Sequence, residues 1–438
     1  MRISNIEIII YMKKVLLLLL TASVIAVNAQ TPIPPKGKKW VPVRELTDEF
    51  NGDKLDGSKW DDYHPHWEGR APSKFLKGNA FVEDGYLKLR STLMKDPSTV
   101  EDKFKDMWVN SAACVSKQRT AKPGYYYEAR IKASSLSMTS SFWFRVGQYS
   151  EIDIIEHVGN PSVEKRQEDL PYEFGTNTHY YGPEKGPKPK GTKWHMPTRG
   201  RDEFHIYGMW WKPDGKELVF YHNGEEINRL VPRVPLQEDL KMVFDTEVFP
   251  FATAGVAHIG LPLVENLNDN TKNTMLVDWV RTYKLVKGKD PRKPKDAFKP
   301  YLRNGTYAIA SPDKKNVILA REPEKFNAVM VPKGDWNDQR WDLQHVSNNT
   351  YLIKNHGNGR FLQVDSANCE SSLITSDKFS GETNQQWKIV KMDKEYLIFP
   401  LDCRRETLEW KVGKLPKVDL ATTKPGSKNQ KWTFIEAN

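Results

Sequence analysis

Between residues 40 and 283 the chain alternates apolar and polar side chains in short runs. Tyr86-Leu87-Lys88-Leu89 alternates after the turn pair Asp84-Gly85, and residues 124–132 alternate through three tyrosines, Ala129 and Ile131. Glu217-Leu218-Val219-Phe220-Tyr221 lies between Asp214-Gly215 and Asn223-Gly224, which predicts a hairpin. Residues 204–211 and 275–283 predict two more strands. A period of two, with no long period of 3.6, indicates an all-β fold of packed sheets.

One run does more than alternate. In Ser150-Glu151-Ile152-Asp153-Ile154-Ile155-Glu156-His157, three carboxylates are separated only by isoleucines. The β-branched residues predict a strand. Alternate side chains share a face, so Glu151 and Asp153 point the same way. Strict alternation would put Ile155 next on that face. One extra residue, a β-bulge, brings Glu156 there instead, and bulges concentrate beside active sites. A row of acids suits glycoside hydrolysis. Retaining enzymes need a nucleophile and a general acid about 5–5.5 Å apart. A third acid between them tunes both by hydrogen bonding and like-charge repulsion. A solvated acidic strand face or a cation site is the competing reading.

The spacing Glu-x-Asp-x-x-Glu resembles the signature of family 16 glycoside hydrolases. The resemblance implies Glu151 as nucleophile, Asp153 as assisting residue and Glu156 as acid/base. The flanks extend it. Residues 46–60, from Leu46-Thr47-Asp48-Glu49-Phe50-Asn51-Gly52 to Trp60, are similar to the opening of that family. Trp67-Glu68-Gly69-Arg70-Ala71-Pro72 resembles the agarase and porphyranase branch. There Trp67 would stack on a sugar ring and Arg70 would bond a hydroxyl or sulfate; otherwise Trp67 is core and Arg70 pairs with an acid. Ser141-Phe142-Trp143-Phe144-Arg145 implies Trp143 as floor under the scissile sugar, with Phe142 and Phe144 turned to the core. Arg145 is a second candidate for a sulfate. His179, in Asn177-Thr178-His179-Tyr180-Tyr181, would reach a substrate hydroxyl, and Glu247 a subsite. Asp278, on the last strand, with the Gly85 carbonyl would form a structural calcium site away from the cleft, oxygen ligands suiting a hard cation. The implied fold is a concanavalin-like β-sandwich, or jelly roll, over residues 30–284.

Residues 1–29 read as a signal peptide. Met12-Lys13-Lys14 is a basic start, Val15–Leu20 an apolar core, and Val27-Asn28-Ala29 a small-residue cleavage site. Met1 and Met12 are both open as the start. The run is short for a membrane span and no second long one follows, which predicts an exported, secreted or periplasmic protein free of the membrane. Cys114, Cys369 and Cys403 are too few for a disulfide scaffold. After export Cys369 and Cys403 are the pair open to oxidation.

The formal charge of +10 first suggests a polyanion partner. Its distribution changes that. Residues 284–296 carry six basic and two acidic side chains, and 297–438 carry 22 and 17, leaving about −1 for 30–283. The strand-rich region is therefore near neutral, which argues against nucleic acid. The charged, proline-bearing segment over 285–298 predicts an extended linker.

Beyond it Gln339-Arg340-Trp341, Gln385-Gln386-Trp387 and Gln430-Lys431-Trp432 repeat Gln-x-Trp. Three copies at a near-constant period predict a threefold β architecture over 299–438. It resembles the ricin-type β-trefoil of carbohydrate-binding module family 13. The middle repeat, Gly359-Arg360-Phe361-Leu362-Gln363-Val364-Asp365, best matches a sugar pocket, with Asp365 as contact. Together the resemblances imply a retaining endo-hydrolase of β-1,4 links in agar or porphyran. It would work as a monomer and need no cofactor. A carrageenan or furcellaran hydrolase of the same fold is the rival, and a non-catalytic lectin is the rival of another class.

Overall fold

The computed structural model describes residues 31–438 except 185, 189–190, 197, 250–258, 291, 293–299, 321–327, 348, 365–372, 377–382, 402, 404–405, 412–416 and 438. Residues 1–30, Asp365, Cys369 and half of the 285–298 segment lie outside the described residues.

Two antiparallel sheets form a jelly-roll sandwich. One has seven strands in the order Thr192–His195, Glu173–Tyr180, Ser150–Val158, Thr139–Arg145, Lys241–Asp245, Ala113–Ser116 and Trp60–Asp61. The other runs Glu225–Leu230, Leu218–His222, His205–Trp211, Tyr125–Lys132, Thr274–Lys287, Tyr86–Arg90 and Ala80–Glu83, and Lys38–Pro42 also pairs with Thr274–Lys287. The predicted hairpin at Asn223-Gly224 joins Leu218–His222 to Glu225–Leu230, and Asn223 takes the positive φ such a turn requires.

Alternation sorts each strand's side chains between two environments. Phe142, Phe144, Ile152, Ile154 and Ile155 from the first sheet meet Leu87, Leu89, Ile131, Tyr207, Met209 and Trp211 from the second in one core. Full burial of such an aliphatic side chain is worth about 1.5–3 kcal/mol. The opposite face of the seven-stranded sheet is left for chemistry.

Twelve described strands between Gly305 and Glu436 build the C-terminal β-trefoil. The repeat works the same way three times. Each glutamine ends a 3₁₀ turn: Asn337–Gln339, Thr383–Gln385, Lys428–Gln430. Each following tryptophan is fully buried. Its indole N–H donates to a backbone carbonyl of the preceding hairpin: Trp341 to Ile318 at 2.9 Å, Trp387 to Leu362 at 2.9 Å and Trp432 to Leu408 at 3.0 Å. The large apolar rings are thus buried with their one polar group satisfied.

The two units share an interface. Val390, Met392, Leu397 and Phe399 of the trefoil belong to the sandwich core cluster. Phe399 stacks on His195 with centroids 5.4 Å apart. Lys388, 3% exposed, forms an ion pair with Glu225 of the sandwich, and Asn349 donates to the same carboxylate at 3.0 Å. Among the described residues no helix is long and apolar enough to cross a membrane.

Candidate active site

The acid strand Ser150–Val158 carries the bulge that its sequence predicts. Against Glu173–Tyr180, Asp153 faces Asn177 and Glu156 faces Gly175, so two residues, Ile154 and Ile155, stand opposite Thr176 alone. Against Thr139–Arg145 the register slips at the same level, with Ile155 opposite Phe142 and Asp153 opposite Trp143. Both consecutive isoleucines turn inward, 1% and 0% exposed. Glu156 is thereby rotated onto the face of Glu151 and Asp153, and all three line one cleft of about 640 Å³.

Cross-strand rows set the neighbours. Glu151 lies opposite His179. Asp153 lies opposite Trp143, and Trp143 opposite Val243. Glu156 lies opposite Ser141, and Ser141 opposite Asp245. Trp67, Arg70, Trp143, Arg145, His179 and Glu247 all line the same cleft. Trp143 stands over Val243, Val115 and Phe75 as an aromatic floor, with Trp67 edge-on at 6.3 Å. Trp67 and Arg70 reach it because the chain doubles back at Gly69. Its φ is +105, and a Cβ there would meet Ser73, Lys74 and Phe75 backbone atoms at 3.2 Å, so the turn requires glycine.

The charges are unevenly partnered. Arg145 Nε bonds Glu151 Oε2 at 3.0 Å, and the Tyr181 hydroxyl donates to Glu151 Oε1 at 3.2 Å. His179 Nε2 lies 3.5 Å from Asp153 Oδ2 and 3.9 Å from Glu151 Oε1. Arg70 pairs with an acid, Glu247, at 3.2 Å, and its guanidinium sits 5.5 Å from the Trp67 ring in the cleft. Burial pushes the Glu156 carboxyl up to about 7, with the Glu151 charge adding to it and Arg70 opposing. Burial likewise lifts Glu247 to about 7, against the pull of Arg70. Asp153 is driven well above the usual carboxylate range by burial, then by Glu156, Glu151 and Asp245, with Arg145 opposing. Asp245 is raised in the same way, by burial and Glu247, with the Trp143 indole opposing.

The outcome is a cluster of enclosed acids with raised affinity for protons beside Glu151, whose two carboxyl oxygens each have a donor. That division is what acid–base catalysis requires. Glu151, Asp153 and His179 also bring possible metal-ligand atoms within 4.8 Å of one another. The Arg145 guanidinium already bonded to Glu151 supplies positive charge there, so the trio does not suit a cation.

Sequence reading overlooked Asp245 and Tyr181. Asp245 lies two residues before Glu247, and only the pairing of Ser141 between two strands brings it to Glu156. Tyr181 ends a run singled out for His179. The expectation for Asp278 changes. Its carboxylate is bonded to Arg130, whose guanidinium lies 4.4 Å from the Phe204 ring. A cation bound there would face that guanidinium, so Asp278 and Gly85 do not fit a calcium site. Cys114 is buried and free.

Residues 40–285 match the family model of the glycoside hydrolase family 16 domain of β-porphyranases A–D. The chain belongs to this family. As a family 16 enzyme it is a glycoside hydrolase. Residues 337–407 match a ricin-type β-trefoil lectin-like family. β-Porphyranase D of Zobellia galactanivorans is 33% identical over 334 residues, spanning 68% of this chain and 74% of that one. β-Porphyranase B of Phocaeicola plebeius is 29% identical over 290 residues, 58% of this chain and 88% of that one. The crystal structure of the β-porphyranase BpGH16B from Bacteroides plebeius superposes with a TM-score of 0.50 at 29% identity, covering 59% of this chain and 97% of that one. In the family 16 enzyme described here, the bulged acid strand and its cleft both fall inside the matched region.

Proposed function

We propose that the protein is an exported, retaining endo-hydrolase of β-1,4-galactosidic links in a red-algal galactan, agar or porphyran. The observation that carries the reading is the bulge, which turns Glu151, Asp153 and Glu156 into one cleft over Trp143. The names of the similar proteins, porphyranases and agarases, support the galactan. Arg70 and Arg145 in the same cleft suit a substrate that carries sulfate.

In the proposed reaction a Glu151 oxygen attacks the anomeric carbon as the glycosidic C–O bond breaks. The leaving oxygen takes its electron pair and the Glu156 proton. Glu156, now ionised, accepts a proton from water as that water attacks the same carbon. The glycosyl–Glu151 ester breaks, Glu151 leaves as carboxylate, and two inversions give net retention. Glu156 starts this cycle protonated because burial and Glu151 hold its proton on to about 7. Asp153, wholly enclosed between the two, serves as a neutral donor toward Glu151. Asp365 is proposed as the sugar contact of the trefoil, and the enzyme as a monomer.

The test is digestion of purified agarose and porphyran, with products read by mass and their first-formed anomer by NMR. Oligosaccharides of β configuration are expected, and their loss in Glu151→Gln. No oligosaccharide from either polymer, or an α anomer formed first, would end the proposal.

A further inference from the structure

Tyr181 follows directly on the strand Glu173–Tyr180, and its backbone N–H is tied to the Tyr149 carbonyl at 3.0 Å. From there the side chain reaches both members of one ion pair. Its hydroxyl donates to Glu151 Oε1 at 3.2 Å. Its ring lies 4.5 Å from the Arg145 guanidinium, whose Nε holds Glu151 Oε2 at 3.0 Å. Each oxygen of one carboxylate therefore has its own donor, and the tyrosine ring supports the second donor. The imidazole of His179 stacks behind the ring at 6.0 Å.

We propose that Tyr181 is a positioning residue for Glu151, an inference that rests on Glu151 being the nucleophile. A glutamate in an open cleft samples several rotamers. One donor leaves the carboxylate free to swing, whereas donors on both oxygens fix its plane. Reaction needs the attacking oxygen held at near-attack geometry, and small misplacements are costly in rate. The same hydroxyl meets the charge that returns to Glu151 when the glycosyl ester breaks. Burial pushes the Tyr181 phenol up to about 12, with Glu151 adding to it, so the residue remains a donor across the working range. In the free enzyme Tyr181 is 57% exposed. A bound sugar chain would exclude water from this bond, where a hydrogen bond to a charged group is stronger.

The experiment is Tyr181→Phe in the full-length protein, with steady-state kinetics and rapid-quench measurement of the glycosyl-enzyme. Phenylalanine keeps the ring beside Arg145 and removes only the donor. The expected result is a kcat lower by about 10- to 100-fold, slower glycosyl-enzyme formation, and a KM within about threefold of the parent. A kcat equal to the parent's, or a change confined to KM, overturns the proposal, the latter because it marks a substrate contact. Glu151→Gly with added azide separates this inference from the reading beneath it. Rescue to an α-glycosyl azide upholds Glu151 as nucleophile, so an unaffected Tyr181→Phe would then sink the tyrosine alone. Failure of rescue together with an α product from the parent enzyme removes both.

Discussion

The sandwich and the trefoil bury different kinds of group. In the sandwich the fully or nearly enclosed side chains include Glu128, Asp153, His157, His195, His205, His222, Asp245 and Glu247. In the trefoil, among the described residues, the one enclosed side chain of the Asp, Glu, His, Lys or Arg kind is Lys388, and its partner Glu225 belongs to the sandwich. The rest of the trefoil's enclosed polar groups are amides and hydroxyls such as Gln339, Gln385 and Gln430. Gln339 closes a short loop, accepting from the Gly334 N–H at 2.7 Å and donating to the Pro332 carbonyl at 3.2 Å. Neutral groups with local partners give a core with little cost and little reactivity. Enclosed acids with shared protons are costly to fold around and are what a catalytic cleft needs. One molecule thus places its electrostatic strain in one half.

That contrast can be broken at several points. Glu151→Gln should lower kcat by about 10⁴-fold or more while thermal unfolding stays at or above the parent's, since a charge is removed from a crowded cluster. A marked loss of stability instead would mean that the acids support the fold. Trp387→Ala should do the reverse. It removes a fully buried ring and its bond to Leu362, costing about 3–5 kcal/mol in denaturant titrations, with turnover per folded molecule preserved. A fall in kcat at unchanged stability would show the trefoil acting on the chemistry.

Lys388→Met strikes where the halves meet. It leaves Glu225 enclosed and without its cation, and a cost of about 3 kcal/mol follows. Adding Glu225→Leu should recover much of it, which a double-mutant cycle measures. If the single change costs nothing, the two halves are not coupled through this pair. The smallest effect concerns pH. Arg70 holds the Glu156 carboxyl below where burial and Glu151 alone would put it. In the proposed mechanism Glu156 acts first as an acid, so activity is expected to fall as pH rises through its value of about 7. Removing the cation with Arg70→Met raises that value, and the basic limb of kcat/KM should move to higher pH by up to about one unit. A limb that stays or moves down would assign it to another group.

The parts legible in sequence were those written locally. Three isoleucines and three acids within eight residues contain both the strand and its bulge. A strict alternation would bury Glu156 in the sheet interior, and the doubled Ile154-Ile155 is the mark of the extra residue. Gln-x-Trp was legible because the trefoil repeats one local device three times. What escaped was set by distant pairing. Asp245 reaches Glu156 only through Ser141, on a strand more than one hundred residues earlier. Asp278 carries no local sign that Arg130, adjacent to its bulge in the register, claims its carboxylate. Lys388 reads as the polar member of an alternating strand. Yet Trp387, Lys388, Ile389 and Val390 are all buried, because the second face of that strand meets the sandwich. A linker's composition says that it is extended, not that the units it joins share a core.

The interface has a colloidal consequence. Thr192–His195 is the outermost strand of the sheet that holds the cleft, and trefoil side chains lie against it: Phe399 on His195 and Lys388 beside Trp194. A naked outer strand of this kind invites pairing with a second molecule. A protease that nicked the segment between the units and released the trefoil would therefore do more than cost the enzyme a lectin-like appendage. It would bare Trp194 and His195 on the sheet's rim and turn a dispersed catalyst into one prone to clump.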